Sequence, residues 1–198
     1  GIGKNPERIQ KLRRIFGASE SKALFKAVDI GDEKAVVDFV QSIPHVDVVI
    51  NNAGICCARP FLESTSEELH AQLQINVVGG FLVMRESARK MVAAKNGHII
   101  NVISTAGTQG ARDFSLYSAS KHAFLGLSRS ARLELSTYGV RVTSLCPGPV
   151  STDMVGDFRH DQRCMRPEEV AETILLIAQS PCMIDCEEMV VRSTNWFA

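Results

Sequence analysis

The chain has 198 residues, of which 45% are hydrophobic and 22% are charged, and this length predicts one domain, spanning residues 1–198, with a sizeable core. Its 22 basic and 22 acidic residues give a formal net charge of zero. Because no basic tract stands out, we expect no nucleic-acid partner. No apolar run is long enough to cross a bilayer and no secretory leader is visible, so we expect no membrane partner and a cytoplasmic location.

Six cysteines are spread along the chain, two of them adjacent at Cys56 and Cys57. No two Cys-x-x-Cys motifs occur with a histidine partner, and Cys182 and Cys186 are four residues apart, which is weak spacing for a metal site. We therefore expect reduced thiols in a cytoplasmic protein, with no metal centre.

Apolar periodicity and capping residues predict helices that alternate with strands. The predicted helices run from Lys4 (with Pro6 in the first turn) to Phe16, from Asp32 to Gln41, from Thr65 or Ser66 to Ala94, from Leu116 (with Ser115 as N-cap) to Thr137, and from Pro167 to Gln179. The predicted strands are Ala23–Val28, Asp47–Ile50, Ile99–Ile103, Val140–Leu145 and Glu188–Arg192. This alternation predicts an α/β fold: a doubly wound parallel sheet in a three-layer α/β/α arrangement.

Polar or glycine-rich residues follow four of the predicted strands directly. They are Asp29, the turn Asn51–Gly54, Ser104 and the loop Pro147–Thr152. In a parallel sheet the carboxyl ends of the strands meet at one edge, and ligands bind beyond that edge. The sequence therefore predicts one ligand site built from these four clusters.

Ser104, Tyr117 and Lys121 have the chemistry of an acid/base site at a carbonyl group. Tyr117 and Lys121 are four residues apart in a predicted helix and so share one face. A free phenol has a pKa of about 10. We expect the Lys121 ammonium and the position of Tyr117 in the first helical turn to lower that pKa towards the useful range. Tyr117 would then move a proton while Ser104 holds the substrate oxygen.

Five motifs, taken together, resemble one enzyme family, the short-chain dehydrogenases/reductases. They are the turn Asn51-Asn-Ala-Gly54, Asn76 in Ile75-Asn-Val-Val-Gly79, Ser104, Tyr117-x-x-x-Lys121, and Pro147-Gly148 with Val150 and Thr152. The resemblance runs from about Asp29 to Glu169. It implies a Rossmann-like fold and an NAD(P)-dependent oxidoreductase that interconverts a carbonyl and a secondary alcohol by hydride transfer.

The resemblance also implies a role for each matching residue. Ser104, Tyr117, Lys121 and Asn76 would form the catalytic group, with Lys121 also on the nicotinamide ribose. Asn76 would hold a proton-relaying water, bond to a neighbouring strand, or do both. The implied cofactor contacts are Asp29 at the adenine, Asn52, Ala53 and Gly54 on the adenosine side, and Pro147, Gly148, Val150 and Thr152 at the nicotinamide.

The chain departs from the family pattern at its front. Of the glycine-rich turn that cradles the pyrophosphate, only Gly1-Ile2-Gly3 resembles the end. Either the chain is a natural truncation, or a segment is missing from the sequence around Gly3 and Lys4, and we favour the second explanation. Lys4 stands near where the family often places a basic residue for the 2′-phosphate, so we expect NADP, with NAD possible.

Four further points concern function and assembly. If the truncation is genuine, the alternative is a catalytically silent relative that acts as a binding or scaffold protein. A nucleotide-sugar epimerase shares Tyr-x-x-x-Lys, but the carboxyl-terminal part of the chain is too short for its substrate domain. The family resemblance implies a homodimer or homotetramer; the candidate contact residues, each of which could equally be a core residue, are Phe81, Met84, Phe124 and Leu127. The tail from Glu187 to Ala198 resembles reductases of small hydroxy acids or hydroxy amino acids.

Overall fold

Parallel strands and helices alternate along the chain, which confirms the predicted doubly wound, three-layer α/β/α fold. The computed structural model describes residues 1–17 and 24–197. Its main elements are β1 (Ile2–Gly3), α1 (Pro6–Gly17), β2 (Lys26–Ala27), α2 (Glu33–Gln41), β3 (Val48–Asn51), α3 (Ser66–Leu73), α4 (Gly80–Ala94), β4 (Gly97–Val102), α5 (Ser115–Ser136), β5 (Val140–Pro147), α6 (Pro167–Ala178) and β6 (Glu188–Val191).

The strands form two parallel ladders. β1 pairs with β2, and β3, β4, β5 and β6 form a four-stranded sheet in that order. In the larger sheet, Asn51 lies opposite Asn101, and Pro147 lies opposite Val191. The carboxyl ends of these strands therefore lie side by side, which brings the segments that follow them to one edge.

Helices cover both faces of the four-stranded sheet. On one face, α4 and α5 pack against β4 and β5 around Met91, Ile99 and Phe124. On the other face, Ile177 of α6 packs against β4 and β5. The two-stranded ladder joins the first face through α2 and α4, in a cluster that includes Val28, Ile30 and Val36.

The edge of β3 that is not paired with β4 carries exposed apolar side chains. Val48 is 40% exposed and Ile50 is 52% exposed, whereas Val49 between them packs in the core that also contains Ile2. Parallel strands are usually buried on both faces. Within residues 1–17 and 24–197, no strand pairs with this edge of β3, so β1 and β3 share a core without sharing a ladder.

The interpretation of Gly1-Ile2-Gly3 as the end of a phosphate-binding turn is wrong. Ile2 and Gly3 pair in parallel with Lys26 and Ala27, and the Lys26 N–H donates to the carbonyl of Gly1 at 3.0 Å. Strand pairing across a crossover helix is a long-range contact that three residues cannot reveal. Lys4 follows β1 directly, and α1 begins two residues later with Asn5 Oδ1 accepting from the Glu7 N–H at 2.9 Å. The chain thus runs directly from Gly3 into Lys4 and the turn before α1.

The long helix predicted from Thr65 or Ser66 to Ala94 is interrupted in the structure. Thr65 caps α3 with a capping box, as the sequence indicates, but residues Gln74–Gly79 form a π-helical segment before α4 begins. Such segments are rare and often occur at functional sites. This one contains Asn76.

Two smaller boundaries also differ from the prediction. β2 is limited to Lys26–Ala27, and Ala23, where that strand was predicted to begin, lies outside the described residues. Ser115 is the first residue of α5 rather than its cap, which is Phe114. Among the described residues, no helix has the length and apolarity that crossing a membrane would require.

Candidate active site

Ser104, Tyr117 and Lys121 come together at the carboxyl edge of the sheet. Ser104 follows β4 and accepts a hydrogen bond from the Ala106 N–H at 3.1 Å, which fixes its hydroxyl at the start of a short 3₁₀ turn. Tyr117 lies in the first turn of α5, and the Ser104 side chain acts on its phenol in the direction that lowers the Tyr117 pKa. The Lys121 ammonium lies 5.7 Å from the centre of the Tyr117 ring. Tyr117 and Lys121, which the sequence predicts to share one face of a helix, therefore lie close together in the structure, next to Ser104.

Lys121 is buried, with only 5% of its surface exposed. Its ammonium donates to the carbonyl of Val102, the last residue of β4, at 3.1 Å. Burial lowers the pKa of Lys121 to about 8, because it disfavours the charged form. The side chain is thus held beneath the site by the sheet, and it remains mostly charged at neutral pH.

The expectation of a lowered Tyr117 pKa is wrong for this arrangement. Burial raises the pKa of Tyr117 to about 12, the thiol of Cys56 raises it further, and the hydrogen bond from Ser104 acts in the opposite direction. The desolvation of a phenolate outweighs the helix dipole, which is worth only about 0.3–1 kcal/mol. Tyr117 is therefore a neutral phenol at neutral pH, with a proton to give.

Asn76 ties two parts of the site together. Its Oδ1 accepts from the Ile55 N–H at 2.8 Å, and its Nδ2 donates to the Ile55 carbonyl at 2.8 Å and to the Ser120 hydroxyl at 3.0 Å. Ser120 lies on α5, next to Lys121. The side chain that was expected to hold a water thus uses both of its polar atoms to clamp the segment after Gly54 against the helix of Tyr117.

The Asn51–Gly54 turn lies next to the side chain of Asn76. Asn51 is buried and donates from Nδ2 to the carbonyl of Gly80 at 2.8 Å, which anchors the turn to the start of α4. A Cβ atom at Gly54 would lie 3.0 Å from Oδ1 of Asn76 and 3.7 Å from Nζ of Lys121. Glycine is therefore needed here for close approach. Asn52 and Ala53, on the same turn, are exposed at the edge of the sheet.

Asp29 follows β2 and is paired with Lys4, which follows β1. The Lys4 ammonium lies 2.7 Å from Oδ2 of Asp29, and Oδ1 of Asp29 accepts from the Gly31 N–H at 3.0 Å. The hydrogen bond from Lys4 is the largest cause of the lowered pKa of Asp29. The structure thus brings together two residues that the sequence assigned separately to the adenine and to the 2′-phosphate.

The loop Pro147–Thr152 leaves β5 at the same edge. The Gly148 N–H donates to the carbonyl of Val191 at 2.8 Å, and Thr152 Oγ1 donates to the carbonyl of Val150 at 3.3 Å. The Met165 N–H donates to the carbonyl of Pro149 at 2.9 Å, which closes the following segment back onto the loop. Of the predicted cofactor residues, Gly3 lies in β1 of the separate two-stranded ladder, and Gly1 directly precedes Ile2, the first residue of β1.

Cys56 is a site residue that the sequence analysis did not include among the candidate site residues. Its thiol interacts electrostatically with Lys121, and it is one of the causes of the raised pKa of Tyr117. Burial raises the pKa of Cys56 to about 11, so the thiol is neutral at neutral pH. Its position two residues after Gly54, at the end of a strand, is the signal that could have placed it here. The described residues contain no group of three or more His, Cys, Asp or Glu side chains arranged to hold a metal ion.

Comparison with known proteins agrees with this geometry. Carbonyl reductase family member 4 of Xenopus laevis is 32% identical over 192 residues, covering 91% of this chain and 80% of that protein. Among solved structures, a metagenomic short-chain oxidoreductase in complex with NADP is 29% identical with a TM-score of 0.83, and the match covers 98% of this chain and 84% of that one. Serine dehydrogenase from Escherichia coli is 25% identical with a TM-score of 0.86, and the match covers 98% of this chain and 85% of that one. A family model described as short chain dehydrogenase matches residues 2–163, and the chain belongs to this family of oxidoreductases.

Proposed function

We propose that this protein is an NAD(P)-dependent oxidoreductase that interconverts a carbonyl and a secondary alcohol by hydride transfer, with Tyr117 as the general acid/base. The observation that carries the proposal is the cluster of Ser104, Tyr117 and Lys121 at the carboxyl edge of the sheet, with the Ser104 side chain acting on the Tyr117 phenol and the Lys121 ammonium 5.7 Å from the Tyr117 ring. A dinucleotide, a carbonyl substrate and a proton donor can meet at such an edge.

The residues at this edge fit a nicotinamide dinucleotide. Gly54 leaves open the space in which a Cβ would crowd Asn76 and Lys121, and Lys121 offers a buried ammonium for ribose hydroxyls. Asn52 and Ala53 would contact the adenosine side, Pro147, Gly148, Val150 and Thr152 the nicotinamide, and Asp29 the adenine. When bound, the reduced cofactor supplies the hydride.

Tyr117 then gives its proton to the substrate oxygen. Because its pKa is raised to about 12, the phenol is fully protonated at neutral pH, which suits a general acid in the direction of carbonyl reduction. Ser104 donates a hydrogen bond to the same oxygen and holds it within reach. In the opposite direction, Tyr117 must lose its proton first, and the hydrogen bond from Ser104 favours that loss.

Lys121 and Asn76 assist Tyr117, Lys121 through its charge and Asn76 by holding neighbouring segments in place. The Lys121 ammonium favours the phenolate that forms when the proton leaves, and its contact with the Val102 carbonyl keeps it at that level of the site. The side chain of Asn76 is fully used by Ile55 and Ser120, so we assign it to holding the site together. A water relay towards Lys121 would use the main chain of the π-helical segment instead.

We assign NADP as the preferred cofactor, with NAD as the second choice. Lys4 follows β1 at the adenosine end of the site and is 77% exposed at its side chain, so its ammonium can meet a 2′-phosphate. The metagenomic relative is complexed with NADP, which supports this choice. Asp29 holds the same ammonium at 2.7 Å, so a phosphate must compete with that carboxylate.

The substrate class is a small-molecule carbonyl or alcohol. The names of the relatives, a carbonyl reductase and a serine dehydrogenase, support this class. The wall near Tyr117 includes Cys56 and Phe114, whose ring meets that of Tyr117 edge-on with centroids 6.4 Å apart. A carbonyl carbon would therefore be presented between an apolar wall and the Ser104 hydroxyl.

We also propose that the protein is a homodimer or homotetramer that associates through α4 and α5. A groove of about 550 Å³ lies between these helices and is lined by Phe81 and Leu127. The other two candidate contact residues, Met84 and Phe124, are buried in the core, which agrees with the alternative that they are core residues. A self-complementary surface of this kind suits a twofold contact.

The substitution Tyr117→Phe tests the proposed chemistry. We expect NADPH-dependent reduction of a carbonyl panel to fall about 10²- to 10⁴-fold in kcat, the usual range for a lost general acid, with the NADPH dissociation constant unchanged. Tyr138, the other tyrosine of the chain, is 53% exposed on α5's far end, so Tyr138→Phe is the matched control and keeps full activity. Retention of more than a tenth of the activity by Tyr117→Phe would exclude the assigned role.

NADPH titration of the unmodified chain separates the enzyme from the alternative of a silent binding or scaffold protein. Binding that quenches tryptophan fluorescence, together with turnover of at least one carbonyl, supports the enzyme. Absence of any NADPH binding would refute the proposed function.

A further inference from the structure

Arg192 carries a guanidinium group for which the described part of the chain supplies no partner. It is the first residue after β6 and is only partly exposed, yet it makes no hydrogen bond or ion pair with any residue in the described ranges. Arg129, Arg132 and Arg141, which pack around the same strand, all bind carboxylates, hydroxyls or carbonyls. A guanidinium partly removed from water without a partner is costly, so its position indicates a missing anion.

The face on which Arg192 lies follows from the alternation of β6. Side chains two and four residues apart share a face of a strand, so Glu188, Val190 and Arg192 point to the same side. Glu188 accepts from Arg129 of α5 at 2.8 Å, which identifies this side as the one that α5 covers. Arg192 therefore lies towards α5, at the carboxyl edge of the sheet.

The level of α5 that faces Arg192 is its first turn. Glu188 and Arg192 are separated by about 13 Å along the strand. Ser118 precedes Arg129 by eleven residues on α5, which is about three helical turns or about 16 Å, so the two residues lie on the same side of the helix. Ser118 is 6% exposed, and its hydroxyl has no hydrogen-bond partner in the part of the chain that the structure describes. Among the described residues, Ser118 and Arg192 thus each carry a donor without a partner, Ser118 next to Tyr117 in sequence and Arg192 on the side of β6 from which Glu188 reaches α5.

Gly148 keeps space open next to Arg192. A Cβ at Gly148 would lie 3.5 Å from Cγ of Arg192, so the arginine stem rests against the loop assigned to the nicotinamide. Arg192 consequently borders both that loop and the helix that carries Tyr117. An anion bound between Arg192 and Ser118 would be at the edge of the reaction centre.

We propose that Arg192, together with the Ser118 hydroxyl, binds the carboxylate of the substrate, which makes the substrates oxo acids and the corresponding hydroxy acids. This assignment rests on the proposed function, because it places a carboxylate beside the carbonyl that Tyr117 protonates. A guanidinium binds a carboxylate through two parallel charge-assisted hydrogen bonds, which fix orientation as well as affinity. The two groups would hold one end of the substrate while the Ser104–Tyr117 pair holds the other.

The test compares oxo acids with their methyl esters, because the ester keeps the carbonyl and loses only the charge. The probes are acetoacetate and levulinate, each beside its methyl ester, assayed for NADPH-dependent reduction and, separately, for direct binding to the full chain by calorimetry. The variants are Arg192→Gln and Arg192→Lys, and Arg112→Gln is the matched control, since Arg112 is 96% exposed at its side chain.

We expect the unaltered protein to favour at least one acid over its ester, and Arg192→Gln to lower binding and kcat/KM for that acid about 10- to 100-fold, the value of a charge-assisted pair. The esters, the NADPH dissociation constant and the Arg112→Gln variant should be unaffected. Arg192→Lys should recover part of the loss. Equal binding of acids and esters, or an equal loss on both in Arg192→Gln, would overturn the assignment of Arg192. Absence of reduction of every probe, esters included, would instead overturn the proposed function, while the calorimetric comparison still decides the carboxylate site.

Discussion

Replacing Asn76 by alanine tests whether a single amide holds the two halves of the site together. The substitution removes three hydrogen bonds, two to the main chain of Ile55 and one to Ser120. At a net value of about 1 kcal/mol each, the expected loss is about 3 kcal/mol in the free energy of unfolding. Ser120 keeps its second bond to the carbonyl of Tyr117, so the helix itself stays intact.

Ser120→Ala is the matched control, because it leaves both bonds from Asn76 to Ile55 in place; it removes the bond from Asn76 to Ser120 and the bond from Ser120 to the Tyr117 carbonyl, and should cost about 2 kcal/mol. Urea unfolding followed by circular dichroism gives both free energies, and NADPH-dependent reduction, measured well below the melting temperature, gives kcat/KM. We expect kcat/KM to fall more for Asn76→Ala than for Ser120→Ala, since only the first variant frees the Ile55–Cys56 segment from the helix of Tyr117. If the two variants were equally stable, the clamp would not be what holds this segment.

Three further predictions concern stability at low pH, cofactor preference and assembly. Burial of His98 beside Thr143 lowers its pKa to about 4. Between pH 6.5 and 4 the unfolded chain therefore binds a proton at His98 that the folded chain does not bind, and the free energy of unfolding should fall by about 3 kcal/mol over that range. In urea titrations at several pH values, His98→Gln should abolish this part of the pH dependence. Lys4→Ala should weaken NADPH binding about 10- to 100-fold in fluorescence titrations and leave the dissociation constant of NADH unchanged. Equal effects on the two cofactors would show that Lys4 does not bind the 2′-phosphate. Leu127→Glu, in the groove between α4 and α5, should shift sedimentation towards monomer, and Leu133→Glu, which is exposed outside that groove, should not; a monomer before any substitution would refute the assembly.

Local patterns in the sequence were enough for most of the fold. Alternating apolar strands and amphipathic helices predict the doubly wound sheet, because periodicity is a property of neighbouring residues. Strand ends can be located in the same way, so the convergence of Ser104, the Asn51–Gly54 turn and Pro147–Thr152 at one edge follows from topology. The four-residue spacing of Tyr117 and Lys121 likewise determines that they share a face.

The features that were missed depend on contacts between distant residues. The strand character of Gly1–Gly3 requires pairing with Lys26 and Ala27 across α1, which three residues cannot announce. The π-helical segment at Asn76 accommodates a side chain that bonds to Ile55 and Ser120, 21 and 44 residues away. The sequence left open whether Met84 and Phe124 are contact residues or core residues, and the packing of α4 and α5 buries both.

The sequence by itself thus determined which chemical groups stand at the catalytic edge, because their identity and spacing are local. Only the tertiary structure decided how those groups behave. It buries Tyr117 and Lys121 together, so that desolvation rather than charge attraction sets the Tyr117 pKa, and it brings Cys56 against the same phenol. It also leaves Arg192 unpaired among the described residues and beside the first turn of α5. Burial and long-range pairing are properties of the packed chain, and no window of neighbouring residues contains them.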